Sequence, residues 1–253
     1  MNLNFTCEVA AEISRVTHVD PRCVISALIG SVVGRALIRG ELNTMQELDE
    51  LMQTCVKWYS DQRYPEDTKN EWRLTAARKA EISRVVTEES FAGLKLDEKN
   101  LEGFTYKTLG AAIYCLREAM SRLNGFSGPP ADYEQLRKSL FRELITGLTM
   151  AGGDADTNGA AAGALLGAYL GYDAIPTQWR NNLRNKQFLF AKSRSLCVAL
   201  GVTPGAYTFG SEADTAAAGG RPVLDKATIV ARRATNWKRQ KQRRKVLEQR
   251  WAS

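Results

Sequence analysis

A chain of 253 residues with 44% apolar composition is long enough to bury one sizeable core or two small ones. Its formal net charge of +7 averages two unlike parts: Arg221 to Ser253 holds 11 basic and two acidic residues, while the rest holds 24 basic and 26 acidic ones. No apolar run reaches the length of a membrane span, the opening MNLNFTCEVAAEISR lacks the basic-then-apolar order of a secretory leader, and a lone His18 with no CxxC spacing argues against a zinc site.

Helical spacing begins at residues 6 to 16, with Val9, Ile13 and Val16 as a partial inward face. The turn THVDPR follows, and Pro21 suits the first turn of a helix capped by Asp20 or Thr17. That helix runs to about Arg39 and is apolar on a wide face, which predicts a central position. Thr44 and Glu47 form a capping-box pattern ahead of a helix from Met45 to Trp58. Tyr59 to Asn70 reads as a loop, and Trp72 to Ser90 as a half-wet helix with Ala76, Ala80 and Val85 inward. Gly93 to Tyr106 reads as a loop with a helical turn near Asp97. Thr108 to Leu123 and Tyr133 to Thr149 are strong helix candidates, separated by the break NGFSGPPA.

The stretch from Gly152 to Gly171, GGDADTNGAAAGALLGAYLG, joins turn glycines, acidic groups and a small-residue helix. Gly152 and Gly153 supply backbone angles that other residues avoid. Asp154, Asp156 and Thr157 place three oxygen-bearing side chains within four positions. Two readings stand side by side: these residues cap the helix, or they offer oxygen ligands to Mg²⁺ or Ca²⁺. Gly159, Gly163, Gly167 and Gly171 recur every four residues and predict a bare groove for close approach of another helix. A short helix entered at Pro176 comes next. Leu183 to Leu200 reads as a helix or, over SLCVALGV, a short strand. Thr203 to Pro222 lacks periodicity and reads as loop or disorder. The basic tail around WKRQKQRRK leaves three alternatives: a solvated helix, a nuclear-import or nucleic-acid patch, or a membrane-surface segment.

Helix after helix, with no strand alternation in the first 190 residues, gives an all-α fold class, and the glycines at 152 and 153 are no dinucleotide fingerprint. Cys7, Cys23, Cys55, Cys115 and Cys197 read as small buried hydrophobes in a reducing compartment. The expected location is cytoplasmic, with the basic tail compatible with nuclear import.

GGDADTNGAAAGALLGAYLGYDAIPTQW resembles the C-terminal signature of the ADP-ribosylglycohydrolase family. VTHVDPRCVISALIGSVVGRAL and YKTLGAAIYCLREA resemble that family's histidine-containing turn with its core helix and its pre-signature helix. The resemblance implies an orthogonal multi-helix bundle over residues 1–192, with 193–253 as an atypical extension. It implies a divalent-metal hydrolase using two Mg²⁺, or Mn²⁺ in some members, on the bond between ADP-ribose and an acceptor. Asp154, Asp156 and Thr157 correspond to metal ligands, with Asp156 bridging. Gly152 and Gly153 correspond to backbone held close to the ligand. His18 and Asp20 fall in the histidine turn and read as structural. The glycine-rich carboxylate segment and the Thr-Asp-Asp-Thr-type segment of active members do not occur here, so Met1 aligns with the middle of the family pattern and a truncated domain is expected. Expected partners are ADP-ribose or an ADP-ribosylated substrate, nucleic acid only through the tail, no membrane, and self-association through exposed apolar surface. An inactive remnant with a binding or structural role is the alternative.

Overall fold

Local signals set most of the helix ends in the computed structural model, which describes residues 2–62, 71–199, 201–206 and 225–251. Asn2 caps α1 (Leu3–Arg15). Asp20 caps α2 (Pro21–Ile38), accepting from the Arg22 N–H at 2.8 Å, and Pro21 fills the first position where a missing N–H costs nothing. The Thr44–Glu47 capping box opens α3 (Met45–Asp61) in both directions, through Thr44 N–H to Glu47 Oε2 at 2.9 Å and Glu47 N–H to Thr44 Oγ1 at 3.2 Å. α4 (Ala76–Val86) is shorter than the 72–90 expected, because Thr75 caps its start and the chain leaves the helix at Thr87. The helical turn expected near Asp97 lies earlier, as α5 (Phe91–Leu94), where Ser90 accepts from the Gly93 N–H.

The core is built by α2, α6 (Thr105–Asn124) and α8 (Ala155–Leu170), with α7 (Pro130–Met150) against α6 and α8. Ile25, Leu28, Ile29, Val32 and Val33 of α2 are wholly buried, each worth roughly 1.5–3 kcal/mol of transfer free energy. α6 presents Leu109, Ala112, Ile113, Leu116 and Met120 inward, as its spacing predicts. By length and composition α2, with a mean hydropathy of 1.5, would pass as a membrane span, whereas here it is the central core helix. No strand occurs among the described residues, so the fold is all-α, and the first part of SLCVALGV, through Ala199, belongs to a helix, α10 (Lys186–Ala199).

Several inward positions are corrected by the packing. α1 meets α2 through Cys7, Ala10 and Ala11, leaving Val9, Ile13 and Val16 exposed, the last at 83%. Small side chains let the two helices approach, so the bulkier stripe, with Phe5, is turned outward. α4 buries Ile82 and Val86, while Ala76 and Ala80 face solvent. Cys23 and Cys197 are only half-buried, unlike Cys7, Cys55 and Cys115. The glycine groove of α8 is also not used for close approach among the described residues. A Cβ at Gly159 or Gly167 meets nothing within 4 Å, and one at Gly163 makes only ordinary contact with Ile145 and Phe141.

The chain divides into two compact units, Met1–Arg184 and Asn185–Ser253. A 3₁₀ turn (Tyr172–Ala174) and α9 (Thr177–Asn182) close the first. The second holds α10 and α11 (Lys226–Trp251), and a division at 192 falls inside α10. Most of the loop expected over 203–222 lies outside the described residues.

Candidate functional site

The start of α8 is set by a two-glycine turn that only glycine tolerates. Gly152 and Gly153 have φ of +79° and +68°. A Cβ on Gly153 would sit 2.7 Å from the carbonyl carbon of Leu96 and closer still to its oxygen. The turn is therefore pressed against the backbone of Leu96–Asp97, and a Cβ on Gly152 would lie 3.5 Å from that of Asp97.

Beyond the turn, Asp154 takes the cap position of α8 yet makes no side-chain cap bond. Asp156, the second residue of the helix, follows two positions later. The neighbouring Asp154 side chain, and after it the Thr157 N–H donating to Asp156 Oδ1 at 3.0 Å, hold the Asp156 carboxyl below the usual carboxylate range. Positive backbone dipoles at the helix start add to the tolerance for two adjacent carboxylates. Asp156 and Thr157 are exposed and Asp154 is half-buried. Gly103 borders Asp154, since a Cβ on it would lie 4.0 Å from Asp154 Oδ2.

Two polar residues fix this corner, and periodicity gave no functional signal for either. Asn158 is fully buried and its Oδ1 accepts from Thr108 Oγ1 at 2.8 Å, tying the first turn of α8 to α6. Its Nδ2 has no hydrogen-bond partner among the described residues. Lys107, only 6% exposed, donates to the carbonyls of Leu94 (3.3 Å) and Lys95 and pairs with Glu98 at 3.0 Å. It thereby pins the segment on which the Gly152–Gly153 turn rests. A buried lysine in an otherwise apolar helical run, YKTLGAAIYCL, is the one sequence cue that could have marked it.

His18 and Asp20 lie at the turn between α1 and α2. His18 is exposed with Nδ1 3.0 Å from Thr17 Oγ1, and Asp20 binds the Arg22 guanidinium at 2.8 Å. Arg22 stacks 5.4 Å above the Phe104 ring, next in sequence to Gly103, and so couples this turn to the border of the acid pair. A cavity of about 250 Å³ lies on the Lys107 side of the 94–104 segment, lined by Glu81, Arg84, Lys95, Glu98, Tyr106 and Lys107 among others, and does not include the acid pair.

Asp154, Asp156 and Thr157 are oxygen donors of the kind a hard divalent cation prefers, and all three stand at the start of α8. They suit such a cation in type but not in number, because no group of three or more acidic, histidine or cysteine ligands forms among the described residues. The chain is thus an all-α protein with two carboxylates beside a glycine turn at one helix start. A family model described as ADP-ribosylglycohydrolase matches residues 3–204, and the chain belongs to that family. Among curated proteins it is similar to "ADP-ribosylhydrolase ARH3" of Bos taurus and of Homo sapiens, at 23% and 24% identity over 173 residues, which is 67% of this chain. The corresponding protein of Mus musculus is 22% identical over the same length. The chain spans about 45% of the length of these relatives. No solved structure matches significantly.

Proposed function

We propose that this chain is an ADP-ribosylglycohydrolase-type protein whose own residues form one half of a divalent-metal site for ADP-ribose linked to an acceptor. The observation that carries this reading is that Asp154, at the cap position of α8 and two residues from the exposed Asp156, makes no cap bond and follows a glycine turn pressed against Leu96. A capping role alone would direct the Asp154 carboxylate onto the backbone N–H groups of its own first turn. Asp154, Asp156 and Thr157 would hold the cation, Mg²⁺ or Mn²⁺. Gly152 and Gly153 would present bare backbone to the ligand. When bound, the cation supplies electrostatic stabilisation and polarises an oxygen of the substrate or of water. Asn158 and Lys107 position the ligands by locking α8 and the 94–98 segment to α6. The reaction class is hydrolysis at the anomeric carbon. This chain's acids serve as ligands in that scheme and not as the general base.

A second reading, ADP-ribose binding without turnover, is favoured by the small ligand set among the described residues. One experiment separates the two. The purified chain with Mg²⁺ or Mn²⁺ is given an ADP-ribosylated peptide, and released ADP-ribose is measured beside metal-dependent calorimetric heat for free ADP-ribose. Release above a folded Asp156→Asn control supports hydrolysis. Heat without release supports the binding role. Neither signal, from a sample with a cooperative melt, defeats both readings.

A further inference from the structure

The most heavily charged element lies outside the candidate site. α11 is a helix of 26 residues, about 39 Å long at 1.5 Å per residue. Its sequence carries ten basic residues and one acid, Glu248. Basic residues recur at helical neighbour spacings, Arg239 with Arg243 and Lys241 with Lys245 four apart, and Lys238 with Lys241 three apart. Such like-charge pairs destabilise an isolated helix. Among the described side chains of the element Arg232, Arg233, Trp237, Lys238, Arg239 and Lys241 are all exposed, so burial does not offset the repulsion there. A helix of this charge, with a wet surface, is self-repelling until counter-charge covers it.

The charge pattern discriminates among polyanionic surfaces. A helix that lies on a membrane needs a continuous apolar face. Here Val230 and Trp237 share one side, but Arg233 falls between them and Lys241 follows one turn later, so the stripe is broken by charge. A nucleic-acid strand asks instead for a line of cations along a rod with an aromatic ring among them. Trp237 is 62% exposed, and the Lys241 ammonium lies 5.1 Å from its ring centroid. This places a stacking surface inside the cationic track.

We propose that α11 is a docking surface for nucleic acid, gripping the phosphate backbone through its lysines and arginines without reading sequence. The inference does not depend on the hydrolase reading, since α11 belongs to the second unit of the chain.

The test uses the full chain and a fluorescein-labelled single-stranded DNA of mixed sequence, followed by anisotropy from 50 to 300 mM KCl. Binding that weakens steeply with salt is expected, together with a gain of helical circular dichroism as the charge is neutralised. The triple substitution Lys238→Gln, Arg239→Gln, Lys241→Gln should weaken binding at least tenfold. It should also make the log–log salt slope shallower by roughly 2, at about 0.7 for each lost phosphate contact on a single strand. The thermal melt of the variant should match the parent. Absence of binding at 50 mM KCl, an unchanged affinity and slope in the triple variant, or tighter retention on phosphatidylserine vesicles than on DNA at equal salt would each overturn the proposal.

Discussion

Replacing Gly153 by alanine puts the packing of the candidate site to a direct test. The new Cβ meets backbone, the Leu96 carbonyl, and not the flexible end of a side chain, so relief requires the chain itself to move. The φ of +68° adds a second penalty, since an L-residue in the left-handed region loses about 1–2 kcal/mol. Overpacking against fixed neighbours costs about 1–3 kcal/mol more. A total near 3 kcal/mol should lower Tm by about 6–12 °C, taking about 2–4 °C per kcal/mol for a unit of this size. Gly159→Ala is the matched control, lying in α8 with nothing within 4 Å of its would-be Cβ. It should raise stability by about 1 kcal/mol through helix propensity alone. Calorimetric melts of both variants beside the parent provide the assay. A Gly153→Ala protein as stable as the parent, or a Gly159→Ala protein less stable than it, would refute the contact between the glycine turn and Leu96 and the open face of α8.

Lys107→Met removes the donor to the Leu94 carbonyl and leaves the Lys95 carbonyl only the Glu98 N–H, and a loss of about 1–3 kcal/mol in urea unfolding is expected, with faster amide exchange at 94–98. Asp20 has its carboxyl held below its ordinary value of 3.8, chiefly by the Arg22 side chain. A depressed folded pKa contributes stability above the unfolded value that fades as pH falls through the folded one. Asp20→Asn keeps a cap but loses the charge, so parent and variant should differ by less than about 1 kcal/mol at pH 6, the pair being over a third exposed, and converge as pH falls below the ordinary value and through the depressed folded one. Thiol titration at pH 8 should modify Cys23 and Cys197 in the folded protein. Cys115, pushed up to about 12 by burial, should wait for unfolding, and equal rates for Cys115 and Cys23 would contradict the buried setting.

Helix identity was legible along the chain because helix signals are local. Asp20 with Pro21, and Thr44 with Glu47, announce helix starts through bonds made within four residues. The wide apolar face of α2 fixed its central place, because a helix apolar nearly all round must be enclosed. The acid pair was likewise legible as a cluster, since its members stand within four positions.

Other features depended on partners distant in sequence. Periodicity could not choose between the two stripes of α1, because that choice follows from how closely Cys7, Ala10 and Ala11 admit α2. A repeat of glycines looks the same whether or not a helix fills the groove, and the tertiary structure leaves Gly159 and Gly167 without close neighbours. The requirement for glycine at 153 comes from Leu96, and the anchoring of Asn158 comes from Thr108, fifty positions away. A sequence carries short-range bonds in its spacing, whereas a contact between distant segments exists only once the chain has folded and brought them together.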